Sequence, residues 1–284
     1  MSDRPDRSSV GGTAYLDLRK LAGETGRPTD QLIQLYGLEG FLDRLSRSPH
    51  SDNFVLKGGV LLAAYTNRRP TRDIDFAVDQ IDGDLDAIRT ITNEVLAVSA
   101  DDGLVFDESA TTVESIRDHE IYPSIRAKVL GKLATANVRF HIDINIGDPV
   151  WPEPTQIEVP RLLDSPPLRV RGYAVELILA EKIVTTIQRG TANTRWRDFL
   201  DIANLAKVEV DQDKLSESIR RVAEHRQTAL RPLSVVLDGF EDMAQPRWSA
   251  WRRKHKLDEA PESFAELLAR VTRFADPYLL NGVL

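Results

Sequence analysis

The 284-residue chain has no cysteine, little aromatic content (7%) and no apolar run approaching the length of a membrane span. A span needs about 18 or more consecutive apolar residues, so a transmembrane helix is excluded on length. Without cysteine there is no disulfide and no thiolate metal site, and any metal ion must be held by oxygen or imidazole. Positive charge is also in deficit. Lys and Arg total 37 against 44 Asp and Glu, a formal charge of -7. That argues against general coating of nucleic acid, yet leaves room for an RNA gripped by a local basic face, because phosphate contacts need only be local. The opening MSDRPDRSSVGGT lacks the apolar core of a signal peptide and reads as a short disordered lead, so the chain is expected to be cytoplasmic. No long heptad pattern appears, which favours a monomer.

What is present is an ordinary globular composition, 42% hydrophobic and 29% charged, in a chain long enough for one large or two smaller domains. Residues 14 to 47 predict two helices, the second opening at RPTDQL with Thr29 as N-cap and carrying Leu32, Leu35, Leu38, Leu42 and Leu45 at helical spacing. FVLK predicts a short strand, and the glycine pair after it opens a helix through VLLAAYT. DIDFAV alternates as a strand, DLDAIRTITNEVLAV has helical period, and YPSIRAKVLGKL and VRFHIDINIG read as strands. Six prolines between Pro149 and Pro167 then deny regular helix or a central strand. From Tyr173 on, the patterns are almost wholly helical. The expected division is a lead with helices (1–50), an α/β core (51–150), a proline-rich connection (151–171) and a helical lobe (172–284).

The chemistry starts with RDIDFAV. A strand period of two puts Asp73 and Asp75 on one face and Ile74, Phe76 and Val78 on the other. Carboxylates about 6–7 Å apart along a strand repel unless a cation sits between them, and Mg²⁺ accepts such oxygen ligands. A bare D-x-D also fits a surface strand whose outward residues happen to be acidic. VRFHIDINIG shifts that balance: Phe140, Ile142, Ile144 and Ile146 form one face and His141, Asp143 and Asn145 the other. Beside the first strand, Asp143 would be a third carboxylate in one cleft, and three such acids can bind two metal ions for phosphoryl or nucleotidyl transfer. Asp143 could also be the general base. His141 and Asn145 equally suit a solvent-facing strand.

In LKGGVLLAAY, Gly58 and Gly59 lack a Cβ at a strand-to-helix turn, where backbone N–H groups can approach a phosphate closely. A tight turn needing positive φ explains the pair as well. Lys182, among Ile178, Leu179, Ile183 and Val184, either needs an anionic partner, a phosphate or a carboxylate such as Glu176 or Glu181, or snorkels from the helix to solvent. RGTANTRWRDFLDIANL supplies Arg189, Arg195 and Arg197, then Asp198 near a helix start and Asp201 one turn on. Asp201 is the expected supporting partner, and Arg197 a candidate to stabilise charge on leaving pyrophosphate. In RWSAWRRKHK, Trp248 and Trp251 with Arg247, Arg252, Arg253, Lys254 and Lys256 could meet RNA by stacking and charge. Core packing of the tryptophans is the simpler reading. Arg68, Arg69 and Arg72, beside the D-x-D strand, are better placed for substrate phosphates.

Glycine pair, helix, D-x-D strand and a later acidic strand together resemble the DNA polymerase beta type nucleotidyltransferase superfold. More closely, FLDRLSRSPHSDNFVLKGGVLLAAYTNRRPTRDIDF and AEKIVTTIQRGTANTRWRDFLDIANL resemble the AbiEii nucleotidyl transferase toxins, which include the mycobacterial MenT toxins. The likeness runs from about Leu16 to Leu205. It implies an α/β (α+β) fold, with a nucleotidyltransferase-type mixed sheet, flanking helices and a helical C-terminal lobe. It also implies a toxin, paired with an antitoxin protein, that moves a nucleoside monophosphate from an NTP to the 3′ end of tRNA, using Mg²⁺ with Mn²⁺ able to substitute. Carried over by position, Gly58 and Gly59 hold the triphosphate, Asp73 and Asp75 hold metal, Lys182 binds phosphate, and Asp198 is a further essential acid; Lys57 and Arg72, from their place beside these residues, are expected at the nucleotide as well. Where the superfold commonly has Gly-Ser this chain has Gly-Gly, so a serine hydroxyl contact is missing. Asp143 rests on the general superfold and the strand pattern. A kinase-like phosphotransferase acting on protein, and a non-catalytic nucleotide-binding regulator, remain alternatives.

Overall fold

A computed structural model describes residues 4–66, 71, 73–78, 84–116 and 124–280. The chain folds as two compact units, an α/β unit of residues 1–148 and 154–173, and a helical unit of residues 149–153 and 174–284.

In the α/β unit the elements are α1 (Val10–Thr25), α2 (Thr29–Arg47), β1 (Phe54–Lys57), α3 (Gly58–Leu61), β2 (Asp73–Val78), α4 (Leu85–Leu96), β3 (Leu104–Phe106), β4 (Thr112–Ile116), β5 (Ser124–Leu133), β6 (Ala136–Ile146), β7 (Thr155–Val159) and β8 (Leu168–Gly172). The sheet runs β3-β5-β6-β2-β1-β8-β7, with β4 also paired to β5. It is mixed: β2 lies parallel to β6 and β1 parallel to β8, while β1–β2, β5–β6 and β7–β8 are antiparallel. Its apolar face is covered by α2. Phe41 meets Phe140 and Phe76 with ring centroids 6.0 and 6.5 Å apart. The approach is so close that a Cβ on Gly37 would lie 2.3 Å from Val138, so this helix needs a glycine where it crosses β6. Ile74, Phe76, Phe140, Ile142 and Ile144, assigned to one face by alternation, are all buried.

Four local expectations change. Helix α1 starts at Val10, capped by the Ser9 hydroxyl, so the lead is ordered well before residue 14. Thr29 lies inside α2, with Pro28 at the cap position, a residue whose fixed φ suits a helix entrance. VLLAAYT yields one α turn and a 3₁₀ turn, Leu62–Ala64; Val60, Leu61 and Leu62 are all buried, so the apolar run reflects burial on every side and not a long amphipathic helix. The proline-rich connection supplies β7 and β8, the latter inside the sheet. Its prolines flank the strands, where no ladder N–H is required.

The helical unit contains α5 (Val175–Arg189), α6 (Trp196–Leu205), α7 (Gln212–His225), α8 (Leu233–Val236), α9 (Phe240–Lys254) and α10 (Phe264–Leu280). Its core is an aromatic cluster in which the Phe264 ring stands edge-on to Trp196, Phe199 and Phe240 at 5.3–5.4 Å. Trp248 belongs to this core: it is fully buried, and its indole N–H donates to the Pro261 carbonyl at 3.0 Å. The stacking role imagined for Trp248 on RNA is thereby removed, although Arg247, Arg253, Lys254 and Lys256 are exposed. Among the described residues no helix is long and apolar enough to cross a membrane.

Candidate active site

The polar face of the sheet carries a charged row across four strands. Register places Lys57 of β1 beside Asp75 of β2, Asp75 beside Asp143 of β6, and Asp143 beside Arg126 of β5. Residues paired in register project to the same side of a sheet, so the row reads plus, minus, minus, plus. One step along the strands, Asp73 pairs with His141.

Each acid has a different setting. Asp73 is half-buried and accepts a hydrogen bond from the Thr71 hydroxyl at 2.6 Å. Asp75 is pushed up to about 7 by burial and by the Asp73 carboxylate, with Lys57 pulling the other way and the Gly59 N–H donating to it. Asp143, 9% exposed, is clamped by Arg126: Nε donates to Oδ1 and Nη2 to Oδ2, both at 2.7 Å. The expected three-acid metal site is not assembled. Among the described residues no group of three acids or histidines is placed to hold a metal ion, and both oxygens of the Asp143 carboxylate are bonded to a guanidinium. Asp73 and Asp75 do fit a divalent cation. They are two oxygen donors on one strand face, and a cation beside them would offset the repulsion by Asp73 that, after burial, pushes Asp75 up.

The glycine turn serves the acids directly. Gly58 has φ +68, and a Cβ there would lie 1.9 Å from Asp75 Oδ2. The Gly59 N–H donates to Asp75. Gly58→Ala is therefore expected to cost about 1–3 kcal/mol in strain, seen as a lower melting temperature. The same change would displace Asp75 and should weaken any divalent cation it holds with Asp73. Lys57, expected beside the nucleotide, is buried, donates to Asp148 Oδ2 at 2.7 Å and lies 5.5 Å from the centre of the Tyr173 ring. Sequence reading missed Asp148, Thr71 and Arg126. Only the threonine carried a local signal, two residues ahead of Asp73.

The helical unit holds a second constellation. Lys182 Nζ donates to Asp198 Oδ1 at 2.7 Å and lies 2.8 Å from Asp201 Oδ2, while Arg195 Nε donates to Asp198 Oδ2 at 2.6 Å. Burial would raise Asp198, but Lys182 and Arg195 outweigh it and hold the carboxyl down at about 2. Lys182 thus finds anionic partners on α6, in Asp198 and Asp201. Arg195 is the arginine on Asp198, and Arg197, expected at the leaving pyrophosphate, is exposed. Arg68, Arg69 and Arg72 lie outside the described residues.

The profile of the nucleotidyl transferase AbiEii toxin family, a type IV toxin–antitoxin family, matches residues 40–270. The chain belongs to that family. Membership makes it a nucleotidyltransferase toxin by descent and implies an antitoxin partner. Among solved structures, the nucleotidyltransferase toxin MenT4 of Mycobacterium tuberculosis is similar over 94% of this chain and 89% of its own, at 18% identity and TM-score 0.61. That likeness supports the mixed-sheet nucleotidyltransferase fold. JHP933 of Helicobacter pylori is similar over 94% and 92%, at 15% identity and TM-score 0.49, too loosely to argue from. No curated protein matches the chain.

Proposed function

We propose that this AbiEii-family chain transfers a nucleoside monophosphate from an NTP to an RNA 3′ end, tRNA first, in the cytoplasm and under the control of a cognate antitoxin. The observation that carries the reading is the Asp73/Asp75 pair. It is set on one strand face, with Asp75 seated against the side-chain-free Gly58 and Asp73 held by Thr71. In the reaction the RNA 3′-hydroxyl gives its proton to a carboxylate of the acid face or to solvent water, its oxygen bonds to the α-phosphorus, the bond from that phosphorus to the bridging oxygen breaks, and pyrophosphate leaves with the electron pair. A divalent cation on Asp73 and Asp75, Mg²⁺ or Mn²⁺, would supply neutralisation of the triphosphate and polarisation of the α-phosphate. The chain's own part is to hold both carboxylates in position: Thr71 fixes the rotamer of Asp73, the Gly59 N–H that of Asp75, and Lys57 moderates their repulsion. Lys182 and Asp198 are proposed as further residues required for transfer, and Arg72 and Arg197 as phosphate contacts.

The test is incubation of the purified protein with Mg²⁺, total tRNA and each α-³²P-labelled NTP, followed by a denaturing gel. Label in RNA supports the reading and names the base. Label only in protein from γ-³²P-ATP would replace it with phosphotransfer.

A further inference from the structure

We infer that Arg126 competes with the divalent cation for Asp143, so that the acid face offers two carboxylates while the Arg126–Asp143 pair is closed and three when it opens. This rests on the reading of Asp73 and Asp75 as metal ligands. Asp143 stands next to Asp75 in register, where a third ligand would be wanted, yet two bonds of 2.7 Å tie both its oxygens to one guanidinium. A fork of that kind occupies the in-plane lone pairs a cation would use. Arginine stays charged at any working pH, so it yields the carboxylate only by moving, and its charge opposes a second cation at the same oxygens.

The sheet provides somewhere for it to move. Arg126 pairs in register with Asp143 on one side and with Glu114 of β4 on the other. Glu114 is half-exposed and bonded to Lys128 at 2.7 Å, which leaves part of its carboxylate available to a second donor. Arg126 has 27% of its side chain exposed, against 12% for Asp143. The guanidinium is thus the more exposed member of the pair, and the acid the more buried one.

Mn²⁺ binding to the full chain without nucleotide, read as loss of the free Mn²⁺ signal in electron paramagnetic resonance, tests this independently of activity. Wild type should bind through Asp73, and Asp73→Asn should lose that binding. Arg126→Ala should tighten Mn²⁺ on the order of tenfold, the scale on which added ligand charge tunes such sites. Asp143→Asn alone should change affinity by less than about twofold, and added to Arg126→Ala it should erase the gain, a coupling that two independent sites do not show. A merely structural Arg126 would lower the melting temperature without an Asp143-dependent change in Mn²⁺ affinity. If Arg126→Ala folds poorly, Arg126→Gln gives the same comparison. Unchanged or weaker Mn²⁺ binding in the Arg126 variants, with Asp73-dependent binding intact in wild type, overturns the inference and leaves the metal reading standing. No Asp73-dependent binding in wild type removes both.

Discussion

Asp73→Asn is expected to reduce nucleotidyl transfer by about 10³-fold or more while leaving the melting temperature within a few degrees of wild type. Asparagine keeps the shape of the side chain and an Oδ1 that can still accept the Thr71 hydroxyl, so the local hydrogen bond survives. What disappears is the charge, and with it one of the two oxygen donors for a divalent cation. The folded state should tolerate this well, because the Asp73 carboxylate is one of the causes that push Asp75 up. Removing a like charge relieves repulsion and does not orphan a partner. The checks are label transfer to RNA and a calorimetric melt on the same preparation. A folded Asp73→Asn protein retaining a tenth of wild-type activity would take Asp73 out of the mechanism.

Lys182→Ala is expected to damage both activity and stability, for separable reasons. The lysine nitrogen sits between two buried carboxylates, Asp198 (4% exposed) and Asp201 (7% exposed). Deleting one partner of such a network leaves uncompensated buried charge and typically costs 3–5 kcal/mol, roughly a 10 °C fall in melting temperature. Arg195 still holds Asp198, so the larger strain falls on Asp201. Lys182→Met combined with Asp201→Asn should therefore regain most of the stability. If Lys182 is needed for transfer, activity stays absent in that pair; recovery of activity along with the melt would make the lysine structural only. The same network sets an acid limit. Asp198 is held below its unfolded value of about 3.9, so its contribution is full above that pH and is lost as pH falls toward its folded value of about 2. On the order of 2 kcal/mol should disappear from the helical unit between pH 4 and 2, measurable as a falling melting temperature that Asp198→Asn no longer shows.

What the sequence determined by itself is what local periodicity and short-range sterics control. Alternation in DIDFAV and VRFHIDINIG assigned Asp73, Asp75 and Asp143 to polar faces and their apolar neighbours to the core, because a strand has two faces and one of these was uniformly apolar. Gly-Gly after FVLK marked a turn with positive φ, and the order of motifs in the chain fixed the family. Only the tertiary structure decided which charges meet. Lys57, Asp75, Asp143 and Arg126 come from four strands separated by long stretches of chain, and their row depends on strand order and register, which no window of sequence encodes. The same holds for Lys182, whose partners Asp198 and Asp201 come into reach because α6 packs against α5. The prolines misled for a related reason. They forbid a ladder N–H at their own positions, but whether the residues between them join the sheet is settled by the distant strand β1, which pairs with β8.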